Sequence, residues 1–209
     1  SCVIFMPRNM SEERKQMMKI YGAQIIDAPD DDFIGAIALR DAFLAGNPNA
    51  WSPLQFDNKK NVECHFVTTG PEIHKQVVGI KRPWEAFVHG SGTGGTIEGI
   101  RRYVNHQRLN TKICMVKPKD SPHGIQGIAD GKEFLAKEED MDDIIEVDTQ
   151  SAINRAKQFA RDSGILVGIS AGANILASEM YILKNKPLGA VITMLCDRGE
   201  RYMSIYGNR

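Results

Sequence analysis

No stretch of these 209 residues is apolar for long enough to span a membrane, and the first residues lack the basic region and cleavage site of a secretory signal. Those absences predict a soluble, cytoplasmic protein. Net charge is missing as well: 26 Lys and Arg balance 26 Asp and Glu, so no broad surface is set up for nucleic acid or anionic membrane. Cysteine is scarce, and Cys2, Cys64, Cys114 and Cys196 include no C-x-x-C pair. That spacing excludes a zinc knuckle and a disulfide framework, and the four read as reduced core residues. Internal repeats and low-complexity tracts are lacking too, which leaves an ordinary globular chain, 42% hydrophobic.

What is present is alternation. Strands are predicted at 2–6, 23–27, 86–89, 111–117, 143–148 and 190–195. Between them lie a helix capped by Ser11 with Glu12 and Glu13 in its first turn, a helix from the "PDDDF" segment to Gly46, one near 62–78, and others at 96–106, 151–162 and after Ser170. Strands separated by helices predict an α/β fold, a three-layer parallel sheet with helices on both faces. A polar, proline-containing shift near 47–60 is the candidate boundary, dividing a partial small lobe at 1–50 from a large lobe at 51–209. The acidic run "KEEDMDD" at 137–143 reads as a solvated turn, and His65 as a structural histidine.

The segment "AFVHGSGTGGTIEGIRRYV" at 86–104 carries the chemistry. Five glycines within ten residues, four of them where the strand passes into the helix, let backbone N–H groups turn inward beside a positive helix terminus, which suits a phosphate. Gly90, Gly92 and Gly95 also satisfy G-x-G-x-x-G, but the next strand ends in Lys117, where an NAD site needs an acidic residue for the ribose hydroxyls; the lysine speaks against NAD more than against NADP. A cofactor with a single phosphate is the alternative.

On its motifs the chain resembles the cysteine synthase family, the O-acetylserine sulfhydrylases and cystathionine β-synthases of pyridoxal-phosphate fold type II. "GSGTGGT" resembles the family's phosphate cup, and "MPRNMSEER", "LQFDN", "TTGPEIH", "GIQGI", "GILVGISAGA" and "GERYMS" resemble its other segments in order. The resemblance implies that Gly92, Thr93, Gly94, Gly95 and Thr96 wrap the phosphate of pyridoxal 5'-phosphate. It implies further that Ser170 faces the pyridine nitrogen, as well as standing at a helix N-cap, and that Gln55 binds the substrate carboxylate. The implied reaction replaces the β-leaving group of O-acetylserine or O-phosphoserine by sulfide to give cysteine. A cytoplasmic homodimer is implied, with the C-terminal peptide of a serine acetyltransferase as a further partner.

The catalytic residue stays unassigned, because the family's Schiff-base lysine lies in an N-terminal segment with no counterpart among these residues. Residues are also expected to be missing around Pro122 and His123. Lys15 and Lys184, read as lying on solvated helix faces, are poor substitutes, so this chain is expected to hold the cofactor weakly and without a unique adduct. Ala129, Asp130, Lys132, Cys196 and Arg198 depart from common family residues, and Arg198 is the candidate contact for a phosphate leaving group. Cystathionine β-synthase-type activity and a non-catalytic binding role are the alternatives.

Overall fold

The computed structural model describes residues 1–30, 32–129 and 132–207. In chain order the first elements are β1 (Val3–Pro7), α1 (Glu12–Ile20), β2 (Gln24–Ala28), α2 (Phe33–Gly46), α3 (Lys60–Val67) and α4 (Thr69–Gly79). Then come β3 (Trp84–Gly90), α5 (Gly95–His106), β4 (Lys112–Pro118), β5 (Asp143–Val147), α6 (Thr149–Ser163), α7 (Ile169–Asn185), β6 (Ala190–Ile192) and α8 (Met203–Gly207). Short 3₁₀ turns occupy Glu138–Asp140 and Gly199–Tyr202.

The chain forms two compact units. The first comprises Ser1–Pro53 with Gly199–Arg209, the second Leu54–Arg198. In the first, β1 and β2 pair in parallel from Val3 opposite Gln24 to Pro7 opposite Ala28. Ser11 occupies the N-cap of α1 without a side-chain capping bond, whereas the Asp32 carboxylate caps α2 by accepting from Gly35 N at 2.7 Å. The C-terminal segment is strapped onto α1: Glu13 accepts from Ser204 N at 2.6 Å, and Arg14 donates to the Tyr202 hydroxyl at 2.6 Å. Lys15, expected on a solvated face, is buried, because its ammonium donates to Arg8 O and pairs with Glu12 and Asp27. Lys184 is exposed as expected and pairs with Asp143 at 2.9 Å.

The second unit holds a parallel sheet in the order β5-β4-β3-β6. The run expected as one helix near 62–78 is two helices, because Thr68 departs from helical geometry at φ −119° and ψ −69°. The apolar stripe of α5 behaves as its spacing predicts: Ile97 and Ile100 are fully buried and Val104 nearly so, packed with Phe87 of β3 and Ile113 of β4. Asp148 caps α6 by accepting from Ser151 N, and Gly164 ends that helix at φ +72°. The acidic run at 137–143 is solvated but not idle. Its carboxylates clasp β4, Glu138 to Lys117 at 2.5 Å and Asp142 to Lys112 at 2.8 Å, and reach α5, Asp140 to Arg101 at 3.6 Å.

All four cysteines are free thiols, but only Cys114 is in the core, while Cys2, Cys64 and Cys196 are exposed. Cys64 illustrates the reason. It stands between Glu63 and His65, and α3 turns its position outward and buries Val62 instead.

Candidate functional site

In this sheet β3 has β4 on one side and β6 on the other, so chain direction across the sheet reverses at β3. Ligands of open parallel sheets bind at the carboxyl ends of strands beside such a reversal. The glycine loop lies there. After Gly90 the chain turns through 91–94 and enters α5, with Gly94 as its N-cap at φ +84°. A Cβ on Gly94 would stand 2.5 Å from Ala136 N, and one on Gly92 would stand 2.4 Å from Gly127 O. Only glycine permits this approach to Gly127 and Ala136, and the loop is tied to their neighbours by Ala129 N donating to Ser91 O at 2.9 Å and Leu135 N to Thr93 O at 3.0 Å.

The loop presents donors. Gly95 N is taken by Thr93 Oγ1 at 3.2 Å and Glu98 N by Gly94 O at 3.1 Å, but the first-turn N–H groups of Thr96 and Ile97 have no intrahelical acceptor. With the helix dipole behind them they suit an anion. Glu98, the one carboxylate in that turn, is buried and held by Arg101 (2.7 and 3.1 Å) and Arg102 (2.6 Å). Burial alone raises its pKa, but the hydrogen bonds from the two arginines outweigh burial and leave the carboxyl below its ordinary range.

One face of α3 backs the loop. Asn61 Nδ2 donates to Thr93 Oγ1 at 3.0 Å and to Gln55 O at 2.9 Å. His65 contacts Thr96 Oγ1 through Nε2 at 3.2 Å and Thr69 Oγ1 through Nδ1 at 2.8 Å. Burial lowers the His65 pKa, which favours the neutral ring. Sequence reading missed Asn61 and gave His65 no functional partner, although their spacing of four residues puts both on one helix face.

On the other side stands α7. Its N-cap is Gly168, so Ser170 is the second helical residue and not the cap, because the extended backbone at Gly168 starts the helix earlier. Ser170 is buried, its hydroxyl facing Gly127 and reaching the Cys196 thiol. Gly127, at φ +103°, thereby connects the glycine loop to Ser170. Asn174, one turn on and fully buried, accepts from Gly90 N at 2.8 Å and donates to Met194 O at 3.0 Å, with His89 Nδ1 3.2 Å away. Burial depresses the His89 pKa to about 4, so this ring is neutral too.

Gly92 to Thr96, Ser170 and Asn174 thus converge. Gln55 stands on an exposed turn and is joined to the loop through its own carbonyl and Asn61. Arg198 is exposed; its backbone bridges Val167, next to the Gly168 N to Asp197 O bond of 2.9 Å. Lys117 is bonded to Glu138, and Asp130 lies outside the described residues. The arrangement fits a single phosphate: glycines where a Cβ would strike backbone, turned N–H groups and two threonine hydroxyls.

The family model described as "Pyridoxal-phosphate dependent enzyme" matches residues 1–197. A cysteine synthase of Staphylococcus aureus is 35% identical over 217 residues, covering 97% of this chain and 68% of the relative. Among solved structures, the hydrogen sulfide-producing enzyme of Fusobacterium nucleatum superposes with a TM-score of 0.86 at 34% identity, covering 97% of this chain and 64% of that one. The O-acetylserine dependent cystathionine beta-synthase of Helicobacter pylori gives 0.86 at 30% identity, covering 96% and 68%. The chain therefore spans about two thirds of the length of these relatives. With the glycine loop at the reversal point, Ser170 beside it and this match along nearly its whole length, the chain belongs to the cysteine synthase family of pyridoxal-phosphate-dependent enzymes.

Proposed function

We propose that the protein makes cysteine by β-replacement, O-acetylserine or O-phosphoserine and sulfide giving cysteine with release of acetate or phosphate. The observation that carries this reading is the convergence of the glycine loop and buried Ser170 on one end of one sheet. Pyridoxal phosphate, when bound, supplies the electron sink that lets the β-substituent leave. The backbone of Gly92 to Gly95, the first turn of α5 and the Thr93 and Thr96 hydroxyls would hold its phosphate. Ser170 would meet the pyridine nitrogen with a neutral hydroxyl, which leaves that nitrogen largely unprotonated and keeps the sink moderate, as β-elimination requires. Gln55 would bind the substrate carboxylate and Arg198 the leaving group, a fork of donors suited to phosphate. No residue of this chain is assigned as the Schiff-base lysine. A homodimer in the cytoplasm, open to a serine acetyltransferase peptide, completes the proposal.

Cysteine formation from O-acetylserine and sulfide, measured beside O-phosphoserine with sulfide and serine with homocysteine, tests it. Turnover of either ester with sulfide above that of free cofactor supports the reading. Turnover only with homocysteine moves the assignment to cystathionine synthesis. Cofactor retention without turnover of any pair favours a binding protein. If Arg198→Ser leaves the ratio of rates on the two esters unchanged, the arginine has no leaving-group role.

A further inference from the structure

We propose that Asn61 and His65, side by side on α3, fix the direction of the two threonine hydroxyls of the glycine loop so that both can only donate outward to the cofactor phosphate. The inference rests on the cofactor reading above and assigns these two residues a positioning role.

A threonine hydroxyl has one proton and two lone pairs. Thr93 Oγ1 accepts from Asn61 Nδ2 at 3.0 Å and from Gly95 N at 3.2 Å. Both lone pairs are thereby spent, and the proton is left to point away from those donors. Thr96 Oγ1 meets His65 Nε2 at 3.2 Å, and the opposite ring nitrogen meets Thr69 Oγ1 at 2.8 Å. A neutral imidazole has one donor and one acceptor nitrogen. When the Thr69 hydroxyl donates to Nδ1, the ring proton resides on Nε2 and is donated to Thr96 Oγ1, which frees the Thr96 proton for the anion. The reverse tautomer would capture that proton and turn lone pairs toward the phosphate, so the identity of residue 69 sets the donor character of residue 96 from the far side of an imidazole.

The order of effects distinguishes this relay from simple packing. Glutamine at 65 reaches with an N–H to the place of Nε2, whereas asparagine reaches only to the place of Nδ1. Asn61→Asp replaces the donor by an acceptor of the same shape. Thr69→Val removes the proton that sets the tautomer and touches neither the loop nor the phosphate.

Equilibrium dialysis of the 209-residue chain against pyridoxal phosphate, and against pyridoxal, which lacks the phosphate, reads the outcome. Asn61→Asp, His65→Leu, His65→Asn and Thr69→Val should each weaken pyridoxal phosphate binding by roughly ten-fold or more, the scale of one charge-assisted hydrogen bond, and leave pyridoxal binding unchanged. His65→Gln should stay near the parent value. Circular dichroism confirms that each variant is folded; if His65→Leu is not, Thr69→Val and the Gln and Asn pair decide the matter. A parent chain that does not prefer pyridoxal phosphate to pyridoxal overturns the cofactor reading itself. A parent with that preference, and variants that keep it, overturns the positioning role alone.

Discussion

Asn174 Oδ1 accepts the Gly90 N–H at 2.8 Å across 84 residues of sequence, and so fastens the end of β3 to the second turn of α7. The same amide donates to Met194 O beyond β6. Three segments that border the site share one buried side chain. Asn174→Leu would leave the Gly90 N–H and the Met194 carbonyl without that partner, and an unsatisfied buried donor costs about 1–3 kcal/mol. Urea unfolding should show a loss of at least that size. Stability equal to the parent's would mean that water or a shifted backbone replaces the amide.

Gly94 is the loop residue least able to change. Alanine there adds left-handed backbone strain of about 1–2 kcal/mol to a Cβ 2.5 Å from Ala136 N. Gly94→Ala should therefore lower the melting temperature and weaken phosphate-dependent cofactor binding together. Gly79→Ala, where a Cβ meets nothing within 4 Å, is the matched control and should change neither.

Glu98 gives a pH signature. Its folded carboxyl lies below the ordinary 4.5, because the Arg101 and Arg102 hydrogen bonds outweigh a burial effect that by itself raises it. A depressed folded value stabilises the protein above the unfolded pKa, and the contribution disappears as pH falls through the folded one. Glu98→Gln should be less stable than the parent by about 1–3 kcal/mol at neutral pH. The gap should be constant above about pH 5 and narrow below 4.5. A gap that widens in acid would contradict this account of the pair.

Thiol reactivity should sort by environment. Burial first, then Asp143 and Asp142, push the Cys114 thiol up to about 12, so almost none is thiolate at neutral pH. Cys2 and Cys64 are exposed and should react first with a disulfide reagent under native conditions. Cys114 should react only on unfolding. Mass mapping of a timed labelling reaction checks the order, and early labelling of Cys114 would mean that β4 opens locally.

The glycine loop was legible because its chemistry is local. Glycine density, a preceding apolar strand and a following amphipathic stripe all lie within twenty residues, and the structure puts the turn and the buried Ile97 and Ile100 where those signals point. The break at Thr68 was not legible, since Cys64, Thr68 and Thr69 continue an acceptable helical pattern and only the backbone turn separates α3 from α4. Lys15 misled for a related reason. Its charge advertises solvent, but the partners that bury it, Arg8 O and Asp27, come from neighbouring segments that periodicity does not register. Asn61 and Asn174 were overlooked because an amide has no motif of its own, and its worth depends on what tertiary folding sets opposite it.

The position of β3 has a consequence for biosynthesis. Its inner partner β4 follows within a few tens of residues, but the other flank is closed only when Ala190–Ile192 pairs beside Trp84, Ala86 and Phe87, about a hundred residues later. At about 5–20 residues per second a ribosome needs on the order of 5–20 s to supply that strand. During this interval an apolar strand offers its unpaired backbone to any neighbour, the situation that invites strand addition from another chain. Nascent chains halted before Ala190 should therefore be captured by chaperones or aggregate, and chains halted just past Thr193, whose hydroxyl bonds Val88 O at 2.6 Å, should lose that tendency.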